Sequence, residues 1–167
     1  MKIMSEDRDG IEFRKRLVAA AGLFVPEHVI SAMADQADDG LAEDKEILGL
    51  IIGKFYRDDN GTYAIADRIA TSGLDADRST VRFDKDSLED LFDELDLGKG
   101  QCVIGWYHSH LDAGCFMSPT DISTQKGIFG DECGFAIVID PVRKELDVFD
   151  SDPDGPKHVD MVIIDSD

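Results

Sequence analysis

Two apolar patterns dominate the first half of the chain. Pro26 suits the first position of a helix, and apolar residues recur on one helical face from there to about Ala37, which predicts a helix over 26–37. The polar stretch 38–45 predicts a loop. The run 47–56 is too apolar and too rich in β-branched residues for an exposed strand, so we expect it near the centre of a sheet.

A turn and several shorter apolar runs complete the pattern. The turn signal Asp58-Asp59-Asn60-Gly61 precedes an apolar run at 62–70, which predicts an antiparallel hairpin. Residues 1–22 fit neither period and are interpreted as an N-terminal extension with some helix or strand. The chain therefore predicts an α/β domain, a mixed sheet with helices against it. Its further strands are expected at 80–83, 102–107, 134–140, 144–149 and 158–164. Its further helices are expected at 84–97, with Asp84 as the N-cap and a stop before Gly98, and at 118–128.

Length and composition fit one globular domain, which we assign to residues 23–167. The 167 residues are 43% hydrophobic and 32% charged, the balance of a chain with a single core. A domain of this length buries roughly 68–70% of its unfolded surface, so it needs no structural metal to stay folded. A metal site in this chain is therefore expected to be functional.

The charge of the chain is strongly acidic. Its 36 acidic residues against 17 basic ones give a formal net charge of -19, which repels a phosphate backbone and argues against nucleic acid as a ligand. We interpret the acidic residues as a solvated surface, with docking of a basic partner as the alternative.

The cysteines and the hydropathy bear on the cellular compartment. Cys102, Cys115 and Cys133 are odd in number and form no Cys-x-x-Cys pair, and no signal sequence with an apolar core opens the chain. An uninterrupted apolar run of the ~18 residues that a membrane span requires is also absent from the sequence. We expect a soluble cytoplasmic protein with no membrane partner.

The candidate chemistry begins with His108 and His110. In an extended segment these side chains project to the same face, so two imidazoles can reach one ion. After seven intervening residues comes Ser118, and after two more comes Asp121. A loop of that length can return the chain so that Asp121 supplies a carboxylate oxygen. Three protein ligands with one open position are typical of catalytic zinc.

The segment from Ser118 to Asp121 has a second interpretation. It also reads as a helix N-cap with Pro119 at the first helical position and an acid at the third, which explains these residues without a metal. The two interpretations are compatible, because a capped helix start is rigid and would preorganise its aspartate.

At this point the chain resembles the JAMM (MPN-plus) metalloprotease family over about Phe24 to Asp150. The family motif is a distant Glu, then His-x-His, seven residues, Ser, two residues and Asp. The segments 103–110, 121–125 and 136–141 are most similar to the deubiquitinating subunit of the proteasome lid, and nearly as similar to the COP9-signalosome isopeptidase subunit. The resemblance implies a single MPN domain, cytidine-deaminase-like, with a mixed and mostly antiparallel sheet flanked by helices.

The resemblance also implies a site. It assigns one Zn²⁺ per chain to His108, His110 and Asp121, and a catalytic role to Glu46, because residues 46–53 match the family's Glu-x-x-Gly-x-x-x-Gly strand. Without the resemblance, Glu46 would be interpreted as a solvated residue at the start of a strand. Glu46 would take a proton from a zinc-bound water and pass it to the departing amine, and Ser118 would donate to the oxyanion.

Substrate and partners follow from the resemblance as well. The family cleaves isopeptide bonds after the C-terminal Gly-Gly of ubiquitin or a ubiquitin-like modifier, and some members act beside a second MPN subunit or within a proteasome. The segment 71–83 is our candidate wall for the extended substrate tail. The substrate-binding residues we expect are Thr80, Val81, Phe83, Trp106 and Ser109.

One position departs from the family pattern, and two other functions compete. Leu111 stands where the family usually has Pro after the second His, which affects the loop and leaves the ligands in place. Cys115 is interpreted as packing under that loop, with a fourth-ligand role as the alternative. A zinc deaminase would need His-x-Glu and Pro-Cys-x-x-Cys, which the sequence lacks. A non-catalytic or latent MPN scaffold is the alternative from another class, although the motif residues are all present.

Overall fold

The computed structural model of the protein describes residues 3–4, 22–59, 61–71 and 91–166. In that part, helix α1 spans Glu27–Ala42 and helix α2 spans Pro119–Phe129. The strands are β1 (Ile3–Met4), β2 (Leu23–Pro26), β3 (Leu48–Asp58), β4 (Gly61–Ala70), β5 (Cys102–Ser109), β6 (Phe135–Asp140), β7 (Glu145–Asp150) and β8 (Met161–Ile164).

The described strands form one eight-stranded sheet in the order β7, β6, β5, β3, β4, β2, β8, with β1 paired to β3. Antiparallel ladders join β3 to β4, β3 to β5 and β6 to β7, and each is longer than the parallel ladders of β5 with β6 and of β2 with β4 and β8. The predicted mixed, mostly antiparallel sheet is therefore confirmed. The apolar run predicted to be central is β3, between β4 and β5, and β3 and β4 form the predicted antiparallel hairpin, with Asp58 paired to Gly61.

The sequence located the first helix but not its end. The structure begins α1 at Glu27, with Pro26 extended before it, and continues it to Ala42. The predicted loop over 38–45 was therefore wrong for its first half. The buried face of α1 continues through Ala37 to Gly40, where a Cβ would lie only 2.6 Å from the Ile47 side chain. The polar neighbours of Gly40 simply occupy the exposed face of the last turn.

The remaining predictions agree with the described elements or fall outside them. Strands predicted at 102–107, 134–140, 144–149 and 158–164 correspond to β5, β6, β7 and a shorter β8. The short strand β2, between β4 and β8, was not predicted. The predicted strand at 80–83 and residues 84–90 of the predicted second helix lie outside the described residues. Residues 91–93 are helical and 94–97 are not, so the helix ends before the predicted stop at Gly98.

Different helices cover the two faces of the sheet. Ile51 of β3 belongs to the apolar cluster that contains Val29 and Met33 of α1. Its neighbour Leu50 points to the opposite face, in the cluster that contains Phe129 of α2. Fully burying such side chains stabilises the fold by about 1.5–3 kcal/mol each. The sheet therefore has α1 against one face and α2 against the other.

Candidate metal centre

The two histidines lie at the carboxyl end of β5 on the face covered by α2. Trp106 belongs to the α2-side cluster, and residues two apart in a strand share a face, so His108 and His110 point the same way. Their ring centroids are 5.1 Å apart, and the residues are only 1% and 6% exposed. The spacing predicted this juxtaposition, and the structure brings the two imidazoles together.

Asp121, in the first turn of α2, completes the group. Its Oδ2 atom lies 3.1 Å from Nε2 of His108 and 3.2 Å from Nε2 of His110. One ligand atom from each of the three residues lies within 4.8 Å of the other two. Two ligand atoms bound at ~2.0–2.2 Å to a tetrahedral zinc are themselves roughly 3.3–3.5 Å apart. The two separations from Asp121 are therefore within a few tenths of an ångström of those that a metal ion requires.

The orientation of His110 is fixed by the loop that follows it. Nδ1 of His110 lies 2.8 Å from the carbonyl oxygen of Gly114. A carbonyl can only accept, so Nδ1 carries the proton and donates. In the neutral ring this leaves the lone pair on Nε2, the atom that faces Asp121. A metal ligand needs this arrangement, with the proton on Nδ1 and the lone pair of Nε2 directed at the ion, whereas without an ion Nε2 can also carry a proton and donate to Asp121.

His108 has no such partner. Both of its ring nitrogens are buried, and neither has a hydrogen-bond partner among the described residues, although Nε2 makes a close contact with Asp121. A buried polar atom without a partner costs about 1–3 kcal/mol. A cation at Nε2 would satisfy this atom, so the donor set of the site fits a metal.

Ser118 and Asp121 also form the predicted helix cap. Ser118 Oγ accepts from the backbone N–H of Asp121 at 3.1 Å, and Asp121 Oδ2 accepts from the backbone N–H of Ser118 at 2.9 Å. This is a capping box, with Pro119 in the first turn. The predicted helix cap is therefore present, and the same aspartate belongs to the group that could hold a metal ion.

The charges of the site favour an ionised carboxylate. Burial alone would raise the pKa of Asp121, but its contacts with His108 and His110 and the N–H of Ser118 outweigh burial and hold that pKa well below its usual range. The bond to Asp121 in turn raises the pKa of His110 against the opposing effect of burial, and the charge of Glu46 adds to the increase. The group is an anion-bearing pocket suited to a cation.

Glu46 lies two residues before the start of β3. The β3–β5 ladder pairs Leu48 with His108, and this antiparallel register, continued two residues beyond the ladder, puts Glu46 opposite His110. Ser109 holds the junction, since its Oγ accepts from the Ile47 N–H at 2.7 Å and its own N–H donates to the Ile47 carbonyl at 3.0 Å. Glu46 itself is exposed. It therefore lies at the rim of the group, where a carboxylate can exchange protons with solvent.

The residues expected to bind substrate have different outcomes. The side chains of Trp106 and Ser109 are completely buried, so the structure places both below the site instead of on its accessible surface. The indole of Trp106 stacks on His108 at 4.3 Å with an interplanar angle of 14°. Thr80, Val81 and Phe83 lie outside the described residues.

Three residues that the sequence analysis passed over contact the site. Gln125 is buried one helical turn after Asp121, and its Oε1 accepts from Trp106 Nε1 at 2.9 Å. The ring of Phe116 packs on His110 at 4.8 Å and remains 46% exposed. Gly114 supplies the carbonyl that orients His110. The i, i+4 spacing from Asp121 is the one sequence signal that could have identified Gln125.

Cys115 is not one of the three grouped residues. Its Sγ donates to the carbonyl of Val138 at 3.4 Å. Burial raises the pKa of its thiol to about 11. The contact of Sγ with Val138 agrees with the expectation that Cys115 packs under the loop.

The sequence of the chain is similar to that of a known protein family and of several characterised proteins. Its residues 22–129 match the family model described as JAB1/Mov34/MPN/PAD-1 ubiquitin protease. Over 100 residues it is 33% identical to the ubiquitin carboxyl-terminal hydrolase RPN11 of Saccharomyces cerevisiae, and equally identical to the 26S proteasome non-ATPase regulatory subunit 14 of Drosophila melanogaster. Each alignment covers 59% of this chain and 32% of the relative, so the match spans about a third of those proteins.

A solved structure agrees at the level of the fold. The solution structure of protein DSY2949 from Desulfitobacterium hafniense superposes with a TM-score of 0.63 at 22% identity, over 86% of this chain and 94% of that one. In the described part, no helix is long and apolar enough to cross a membrane. The family model covers more than half of the chain, including the two histidines, Ser118 and Asp121, so the chain belongs to the JAB1/Mov34/MPN/PAD-1 ubiquitin protease family.

Proposed function

We propose that this protein is a zinc-dependent isopeptidase that cleaves after the C-terminal Gly-Gly of ubiquitin or a ubiquitin-like modifier. The observation that carries the proposal is the convergence of one ligand atom each from His108, His110 and Asp121 within 4.8 Å of one another. The register of β3 with β5, continued two residues beyond the ladder, supports a position of Glu46 beside this group. Zinc, when bound by these three residues, supplies a Lewis acid that lowers the pKa of water toward ~7. Proton transfer and stabilisation of the oxyanion are proposed for side chains of the protein itself.

Glu46 is the proposed proton carrier. At the exposed rim of the site its carboxylate accepts a proton from the attacking water and returns it to the lysine amine of the leaving group. An amine cannot leave as an anion, so this return is essential for breaking the bond. Positioned proton transfer of this kind typically contributes ~10²–10⁴-fold to the rate.

Ser118 is the proposed oxyanion donor. Its Oγ uses a lone pair for the N–H of Asp121, which leaves the hydroxyl hydrogen free to donate to the oxygen that becomes negative as the carbonyl is attacked. The loss of such a donor typically costs about 10²–10³ in rate. Ser118 is not proposed as a nucleophile, because nothing in the described site pairs it with a histidine base.

The substrate and partners are proposed from the relatives. Their names identify a ubiquitin hydrolase and a proteasome subunit, which supports ubiquitin-type conjugates as substrates and a cytoplasmic setting. A second MPN subunit or a proteasome is the proposed assembly. A narrow groove suits glycines, which lack side chains, and the segment 71–83 remains our predicted wall for the substrate tail.

The test uses the full chain loaded with zinc and fusions in which a ubiquitin-type Gly-Gly tail is joined to a lysine side chain by an isopeptide bond. Wild-type protein is expected to contain one zinc by emission spectroscopy, to cleave the fusions, and to stop when a chelator is added. Glu46→Gln should keep the metal and lose about 10²–10⁴-fold in rate, and His108→Ala should lose both. Glu43→Gln is the matched control, because Glu43 is an exposed carboxylate whose ion pair is with Lys45.

Two outcomes would contradict the proposal. Full activity of Glu46→Gln would refute the role of that carboxylate. A wild-type protein that binds zinc and cleaves none of the fusions, alone or with a partner MPN subunit, would favour the scaffold function instead.

A further inference from the structure

Asp140, at the end of β6, is a buried carboxylate that the mechanism does not use. Its residue is 0% exposed. Oδ1 accepts from the backbone N–H groups of Asp112, Val142 and Arg143, each at 3.1 Å, and Oδ2 accepts from the N–H of Gly114 at 2.8 Å. The Arg143 side chain is more distant, with Nε 3.9 Å from Oδ2. Four backbone donors thus stabilise this charge.

Only half of these bonds have a local explanation. An aspartate that accepts from the N–H groups two and three residues later forms an ordinary turn, and this accounts for Val142 and Arg143. The bonds from Asp112 and Gly114 span 28 and 26 residues. They attach the loop after His110 to the end of β6.

The attached residue is the one that orients His110. Gly114 donates its N–H to Asp140 and accepts from His110 Nδ1 through its carbonyl oxygen. Gly114 has φ of 87° and Asp112 has φ of 68°, a region that only glycine adopts freely. The loop conformation is therefore intrinsically unfavourable at Asp112, and bonds to a fixed acceptor offset that cost.

We infer that Asp140 is a positioning residue for the metal centre, which through Gly114 holds His110 in the orientation and tautomer that leave Nε2 free for the ion. The inference rests on the proposed metal site. Hydrogen-bonding partners behind a metal ligand typically alter metal affinity by 10–100-fold, because they fix the ring before the ion arrives. Asp140 acts on the His110 ring indirectly, through the backbone of Gly114.

The first test needs no metal. In the metal-free, ¹⁵N-labelled full chain, long-range ¹H–¹⁵N correlation spectra report which ring nitrogen of His110 carries the proton. Wild type is expected to keep Nδ1 of His110 protonated, with or without a second proton on Nε2, and to show a Gly114 amide protected from hydrogen exchange. Asp140→Asn keeps Oδ1 for the local turn and presents an N–H₂ group toward Gly114, so it should mix tautomers and lose the protection.

The second test measures zinc affinity by competition with a chromophoric chelator. Asp140→Asn is expected to bind zinc 10–100-fold more weakly than wild type. Met33→Ala is the matched control for general destabilisation, because Met33 is fully buried in the α1-side cluster away from the ligands. It should change zinc affinity less than about 3-fold.

The outcomes separate this inference from the proposed function. An unprotected Gly114 amide in wild type, or an Asp140→Asn variant with unchanged His110 tautomer and zinc affinity, overturns the inference. A wild-type chain that binds no zinc overturns the proposed metal site, and one that binds zinc and cleaves nothing overturns the proposed activity. In both cases the His110 spectra of the metal-free chain still decide the role of Asp140.

Discussion

The bridge made by Gln125 gives a stability prediction that can be worked from the structure. Its Oε1 accepts from the completely buried Nε1–H of Trp106 at 2.9 Å, and its Nε2 donates to the carbonyl oxygen of Asp150 at 2.7 Å. Gln125→Met keeps the length of the side chain and removes both bonds. Trp106 then has a buried donor without an acceptor, and Asp150 loses one bond at a partly buried carbonyl.

The expected loss is roughly 2–4 kcal/mol, because an unsatisfied buried group costs about 1–3 kcal/mol and an ordinary hydrogen bond about 0.5–1.5 kcal/mol. For a domain of this size this corresponds to a decrease in Tm of roughly 4–16 °C. Zinc affinity should also decrease, by on the order of 10-fold, because the indole that Gln125 holds stacks on His108 at 4.3 Å.

The assay is urea denaturation of the metal-free protein, followed by chelator competition for zinc. Gln101→Met is the matched control: Gln101 also makes two bonds, accepting from the Gly98 N–H and donating to Asp67, in a part of the fold that solvent reaches. It should lose no more than about 0.5–1.5 kcal/mol. If the two variants lose equal stability with equal slopes, burial is not what makes the Gln125 bridge important.

Two further predictions concern the cap and the buried carboxylate. Ser118→Ala should lose about 1 kcal/mol of stability, measured by urea titration, because the helix cap is removed. It should also lose about 10²–10³ in kcat for fusion cleavage, because the oxyanion loses a donor, and Ser118→Thr should restore both. An alanine variant with unchanged kcat would exclude the role of Ser118 as oxyanion donor. Burial would raise the pKa of Asp140, but its four backbone donors outweigh burial and hold the pKa below its usual range. The ionised Asp140 therefore stabilises the folded state fully above the unfolded carboxyl pKa of about 3.9, and this contribution is lost as pH falls through the lower pKa of the folded state. The stability difference between wild type and Asp140→Asn should therefore narrow from pH 6 to pH 3, and a gap that is constant with pH would contradict the assignment.

The parts of the site that depend on local periodicity could be predicted from the sequence. His108 and His110 share a face because strand side chains alternate, and Asp121 projects from a helix start that the cap signal located. The opposition of Glu46 to His110 follows from the β3–β5 register. That register is not readable from either strand alone, so the assignment of Glu46 relied on the family motif.

The parts that the sequence did not reveal are long-range or depend on packing. Helix α1 continues past its predicted end because Gly40 packs against the side chain of Ile47 after the loop, a tertiary contact that overrides the polar composition of the segment. The two bonds from Asp140 to the ligand loop join residues more than 25 positions apart. At the end of an apolar strand before Pro141, Asp140 has the sequence signature of an ordinary turn residue.

The two roles of Asp121 show how a short loop would build the proposed metal site with little cost in side-chain entropy. Its Oδ2 accepts the N–H of Ser118, so the direction of the carboxylate is fixed before a metal binds. His110 is fixed in the same way by Gly114, and His108 is clamped by the stacked indole that Gln125 holds. Each of the three candidate ligands thus has its own restraint, which would keep the ordering cost out of the binding of a metal. Loss of any one restraint is therefore expected to weaken zinc affinity without abolishing binding, whereas removal of one of the three candidate ligands is expected to abolish it.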